Sequence, residues 1–99
     1  MLELSFNTHD DVDKFLKTEK DLFFTTVLNA IKRAWKEKLK RVDVAKFHID
    51  DAGYIMDIAI EDGDWRETIN LALIYYEGVE NYEKCSEIRD MISDIYDDK

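Results

Sequence analysis

Leu2-Glu3-Leu4-Ser5-Phe6 alternates apolar and polar side chains with a period of two, which predicts a half-buried strand at the start of the chain. Thr8-His9-Asp10-Asp11 then reads as a helix start, because Thr8 can cap and the acids suit the positive end of the helix dipole. Val12, Phe15 and Leu16 give this short helix one apolar face. Thr18-Glu19-Lys20-Asp21 repeats the start signal. The long helix after it carries a stripe in steps of three and four: Phe24, Leu28, Ile31, Trp35, Leu39 and Val42. Phe23, Val27, Ala30 and Ala34 widen that stripe.

After Arg41 the period changes to two. Ala45, Phe47 and Ile49 fall on one face, with Lys46 and His48 on the other. Asp50-Asp51-Ala52-Gly53 is a hairpin turn in which Gly53 supplies a positive φ, and Tyr54, Met56, Ile58 and Ile60 alternate back. Two helices close the chain. Asp64 is expected to cap the first, with Glu67 completing a capping box, and Trp65, Ile69, Ala72, Leu73 and Tyr76 form its apolar face. The second starts near Asn81, after Gly78, and its stripe is Cys85, Ile88, Ile92 and Ile95. The fold class expected is α+β: a small antiparallel sheet of about three strands, with one long helix and a C-terminal helical hairpin packed on one face. Residues 1–99 form a single domain, strand, helices and hairpin over 1–62 and the helical hairpin over 63–99.

The chain has 99 residues, 45% hydrophobic and 12% aromatic, enough apolar mass for one core without a staple. No apolar run approaches the roughly 18 residues of a membrane span. The opening MLELSFNTHDD lacks a basic-then-apolar leader pattern, and the lone Cys85 allows no intramolecular disulfide, so a reducing cytoplasm is the expected setting. The net charge of −9 is uneven: −3 over residues 1–31, +5 over 32–46 and −11 over 47–99. That field disfavours nucleic acid and anionic membranes and steers the chain toward basic partner surfaces.

Candidate chemistry is sparse. His9 and His48 are far apart in sequence and have no nucleophile nearby, so neither is expected to be catalytic. Cys85 sits on an apolar stripe beside Glu83 and Glu87, a setting for an inert buried thiol. Asp57, Glu61, Asp62 and Asp64 cluster at the sheet-to-helix junction, but their spacing does not match a calcium loop. No glycine-rich phosphate loop is present. No catalytic set, metal site or cofactor is expected.

The basic run from Lys32 to Arg41 occupies the negative end of the long helix, where cations belong. Lys32, Arg33, Lys36, Lys40 and Arg41 could alternatively form a binding face for nucleic acid or for an acidic partner, including the acidic half of another copy. Near the C-terminus, Glu80-Asn81-Tyr82-Glu83-Lys84-Cys85-Ser86-Glu87-Ile88-Arg89-Asp90-Met91-Ile92 resembles the second half of the UVR motif. That motif is a helical hairpin of the UvrB and UvrC repair proteins and of some Clp chaperone and adaptor proteins. The resemblance spans roughly residues 64–96, with Cys85-Ser86 in place of the family's alanine pair, and it implies a protein-docking element. In general look the chain is also similar to small acidic accessory proteins of tailed phages.

These readings converge on a non-enzymatic protein-interaction module or regulator, with self-association a special case. Its expected surface is Tyr75, Glu80, Tyr82, Glu83, Glu87, Arg89 and Tyr96, tyrosines rimmed by charge. The alternatives are an inhibitor whose carboxylates mimic nucleic acid, and direct nucleic-acid binding through the basic helix face.

Overall fold

The computed structural model describes residues 2–96. The end of the expected domain, residues 97–99, lies outside the described residues. In chain order the elements are β1 (Leu2–Phe6), α1 (His9–Thr18), α2 (Lys20–Lys36), β2 (Arg41–Ile49), β3 (Tyr54–Glu61), α3 (Asp62–Gly78) and α4 (Tyr82–Tyr96). The fold is α+β, and α3 and α4 form the expected hairpin.

The sheet has the order β1-β2-β3, but it is mixed. β2 and β3 pair antiparallel, whereas β1 runs parallel to β2 from Leu2 opposite Ala45 to Phe6 opposite Ile49. The antiparallel expectation therefore fails for β1. Parallel pairing needs a long crossover, which α1 and α2 supply across residues 7–40. The register stacks inward rows Leu2-Ala45-Ile58, Leu4-Phe47-Met56 and Phe6-Ile49, with Tyr54, opposite Ile49, exposed at the end of the sheet. The opposite face carries Glu3-Lys46-Asp57 and Ser5-His48-Ile55, all exposed or half-buried, and among the described residues no helix covers it.

A bulge shapes the middle strand. Pairing slips between Asp43 and Ala45, which leaves Val44 as an extra residue. Side-chain direction alternates along a strand, so one added residue reverses which parity faces the core. Val42 and Val44 before the bulge and Ala45, Phe47 and Ile49 after it are consequently all buried. Phe47 sits at the centre of an edge-to-face aromatic trio, with Phe6 at 5.2 Å and Phe15 at 5.8 Å. This docks α1 onto the sheet.

Local signals account for most element ends. Thr8 caps α1 in a reciprocal box: Asp11 N–H donates to its hydroxyl and its own N–H donates to the Asp11 carboxylate, both at 3.3 Å. Gly53 adopts φ +68 in the hairpin turn, as the sequence predicts. The second start signal is not used. Thr18 Oγ1 donates back to the Lys14 carbonyl at 2.8 Å, and α2 begins after Glu19 with no side-chain cap. Asp64 does not cap either, because α3 already starts at Asp62 and Asp64 lies in its first turn.

α2 and α3 stop in the same way. At the end of α2, Leu39 N–H donates to Ala34 O (2.8 Å) and Lys38 N–H to Trp35 O (3.2 Å). At the end of α3, Asn81 N–H donates to Tyr76 O (2.9 Å) and Glu80 N–H to Glu77 O (3.1 Å). Both are Schellman closures, whose penultimate residue takes the left-handed conformation that glycine adopts most easily. Here that residue is Lys38 at φ 60 and Glu80 at φ 59. Leu39 and Val42 therefore do not extend the α2 stripe: the helix has ended, Leu39 is exposed in the turn, and Val42 belongs to β2.

Candidate interaction surface

The end of the molecule that carries the α3–α4 turn is built around Tyr76. This side chain is buried, and its hydroxyl reaches the N-terminal part of α2, 2.6 Å from the Asp21 carboxylate and 3.1 Å from Thr25 Oγ1. A phenol has one proton to give. The short contact makes the carboxylate its acceptor and leaves Thr25 to donate in return. Burial, reinforced by the hydrogen bond to Asp21, pushes the Tyr76 hydroxyl up to about 12. The hairpin is braced on its other side by Arg89, whose guanidinium lies 3.1 Å from the Glu77 carboxylate. Asn81 Oδ1 accepts from Lys84 N–H at 3.2 Å and so caps α4.

The proposed surface residues divide around this frame. Glu80, Tyr82 and Glu83 come together at the turn and the first residues of α4, and all are exposed. Tyr82 is 66% exposed. Glu87 follows one helical turn later. Tyr75 is half-buried, packed against Phe24 (5.3 Å) and Tyr76 (4.9 Å), and serves the core more than a surface. Arg89 is occupied by Glu77. Tyr96 lies at the far end of α4, about 20 Å from Tyr82 at the helical rise. The Arg66 guanidinium covers its ring at 5.0 Å. Burial raises the pKa of the Tyr96 hydroxyl, which has no hydrogen-bond partner among the described residues.

Three further apolar residues are exposed along α3 and in its turn: Leu71, Ile74 and Val79. Trp65, Ile69, Ala72 and Tyr76 use one side of α3 for the core. Leu71 and Ile74 lie on the opposite side, so α3 is apolar on both faces. Ile74 is 64% exposed and Val79 54%.

The basic residues do not form one face. Lys32 lines a groove of about 270 Å³ between α2 and α4, opposite Glu87 and Asp94. Arg33 lines a separate cleft with Leu2, Asp43 and Val44. Lys40 pairs with Asp62 at 3.8 Å and Arg41 with Glu61 at 3.6 Å. Lys36 remains at the helix end beside Lys38. Trp35, expected in the core, is 38% exposed there.

Other chemistry stays dispersed. His48 Nε2 is 2.7 Å from Glu3 on the open sheet face, and this hydrogen bond lowers the Glu3 pKa below the usual carboxylate range. His9 packs against Tyr54, with ring centroids 5.3 Å apart and the planes tilted by 44°. Cys85 is a buried free thiol. Of the acids at the sheet-to-helix junction, Glu61 and Asp62 are engaged by Arg41 and Lys40. Among the described residues no three His, Cys, Asp or Glu side chains are grouped to hold a metal ion, and no helix is long and apolar enough to cross a membrane. Compared with protein-family models, curated proteins and solved structures, the chain matches none of them.

Proposed function

We propose that the chain is a non-enzymatic protein-interaction module that docks a partner on the turn end of its α3–α4 hairpin. The observation carrying this reading is the second apolar stripe of α3. Leu71 and Ile74 on α3, Val79 in the turn and Tyr82 at the start of α4 are all exposed, as are the acidic Glu80 and Glu83 between and beside the last two. Carboxylates around an apolar centre favour a partner with the reverse pattern, apolar with a basic rim. The resemblance of this hairpin to UVR-type docking elements agrees with the reading.

A designed amphipathic helical peptide of leucine and lysine is a sufficient probe. Added to the labelled protein, it should shift amide resonances from Leu71 to Glu83 and leave the open sheet face unchanged. Ile74→Lys, at an exposed position, should abolish the shifts while the thermal midpoint is kept. Shifts spread evenly over the acidic surface, or unaffected by Ile74→Lys, would sink the proposal.

A second reading has one observation in its favour. Glu83, Glu87, Asp90 and Asp94 are all exposed and recur in steps of four, three and four, which sets four carboxylates in a row along α4. This is the arrangement a nucleic-acid mimic needs. The row places four charges over about 16 Å, sparser than the roughly 3.4 Å per phosphate along one DNA strand. Lys84 also borders it. Mimicry predicts that the protein displaces duplex DNA from a basic cleft with a steep inverse salt dependence. It also predicts that Glu87→Gln with Asp90→Asn removes this effect, and the absence of displacement at low salt rejects it.

A further inference from the structure

The turn-end surface has a counterpart at the other end of the same molecule. Tyr76 ties the last turn of α3 to Asp21 and Thr25 near the start of α2, while Lys40–Asp62 and Arg41–Glu61 tie the segment after α2 to the start of α3. α2 and α3 each have 17 residues, so the ends they define are about 25 Å apart. The molecule is elongated, with extents of 50 × 31 × 16 Å. At the α2 end, Trp35 and Leu39 are 38% and 42% exposed, flanked by Lys36 and Lys38 with Glu37 between them. Neither lysine has an ion-pair partner among the described residues. At the hairpin end, Ile74, Val79 and Tyr82 are exposed beside Glu80 and Glu83.

We propose, building on the docking function above, that the partner is a second copy of this chain bound head to tail. The Trp35–Leu39 end of one molecule seats on the Ile74–Val79–Tyr82 end of the next, with Lys36 and Lys38 meeting Glu80 and Glu83. The two ends are complementary in charge and alike in exposing apolar side chains. The helix closures add a second argument. Lys38 and Glu80 hold the left-handed position that glycine takes without strain. The two residues carry opposite signs at opposite ends. Joining like ends would oppose like charges, which disfavours a twofold arrangement that pairs either surface with itself. The contact is heterologous, and its repetition gives an open chain or a closed ring.

Sedimentation velocity over a wide concentration range tests this, with two exposed substitutions that leave the core alone. Wild-type protein should exceed the monomer mass increasingly with concentration at low salt. Raising the ionic strength should weaken association by on the order of tenfold. Ile74→Lys and Leu39→Glu should each be monomeric alone. Their equimolar mixture should form a one-to-one dimer and nothing larger, because each variant retains one intact end. A monomeric wild type at every concentration, or a mixture that stays monomeric, overturns the proposal. If the leucine–lysine peptide still binds that monomeric wild type and not Ile74→Lys, docking stands and self-pairing alone falls; if the peptide also fails to bind, both fall.

Discussion

Tyr76→Phe removes one oxygen from the buried junction between α3 and α2 and leaves the ring packed against Phe24 and Tyr75. The lost interaction is a 2.6 Å hydrogen bond to the Asp21 carboxylate, together with the return bond from Thr25 at 3.1 Å. A hydrogen bond to a charged group contributes about 1.5–3 kcal/mol. Asp21 is exposed and regains water when the phenol is gone, which puts the expected cost near the lower end, about 1.5 kcal/mol. For a domain this small that corresponds to a fall of about 6–12 °C in Tm. Thermal and urea unfolding at neutral pH, followed by circular dichroism, measures it directly.

The same hydroxyl gives the substitution a signature in pH. Its folded pKa of about 12 lies above the ordinary 10.0, so the folded state favours the protonated phenol. Its contribution is complete below pH 10 and is lost as the pH rises from there through about 12. Wild-type stability should therefore decline in that window, and Tyr76→Phe should decline less. A smaller slope should persist, because burial also raises the pKa of Tyr96. A neutral-pH shift under about 2 °C, or identical alkaline slopes for the two proteins, would refute the role assigned to this hydroxyl.

Phe47→Ala empties the centre of the aromatic trio and should cost about 3–5 kcal/mol, a large fraction of the stability of a small domain, read as a greatly lowered urea midpoint. Lys38→Gly and Glu80→Gly relieve left-handed strain in the two helix closures, and each should stabilise the monomer by about 0.5–1 kcal/mol. A lowered Tm for either would mean that its closure is not the one described. Carboxylate NMR should find Glu3 titrating below the normal range, so the stabilisation linked to it is present above the ordinary 4.5 and fades as the pH falls through the lowered value. His48→Ala should return Glu3 to the ordinary range; an unchanged titration would remove His48 as the cause.

Much of the fold was legible because it is encoded locally. Alternation located β1, the turn residues located the β2–β3 hairpin, and Thr8 with Asp11 gave the start of α1. The errors share a physical origin. Alternation at an edge strand is the same in parallel and antiparallel pairing, so β1 could not declare its direction. Leu39, the apolar residue of a Schellman closure, falls at the spacing of another helical turn, and a strand valine at 42 prolonged the illusion. The bulge at Val44 hides the true period of β2 by reversing its parity midway. For the proposed surface, Glu80, Tyr82 and Glu83 were chosen from composition, and the fold leaves all three exposed. Leu71, Ile74 and Val79 were missed because a second apolar stripe looks like surplus core until the first is seen to be complete. The Tyr76–Asp21 contact joins residues 55 positions apart and leaves no local trace.

The parallel pairing of β1 also bears on how the chain assembles. Every other neighbouring pair of elements in the sheet and the C-terminal hairpin is joined by a short turn, so these contacts can form early. β1 must close a loop spanning residues 7–40 before it gains a ladder, and such non-local closure is slow. The first strand should thus dock last during refolding and detach first during opening. Its amides should exchange with solvent sooner than those shared by β2 and β3, making the N-terminal edge the seam along which this small domain comes undone.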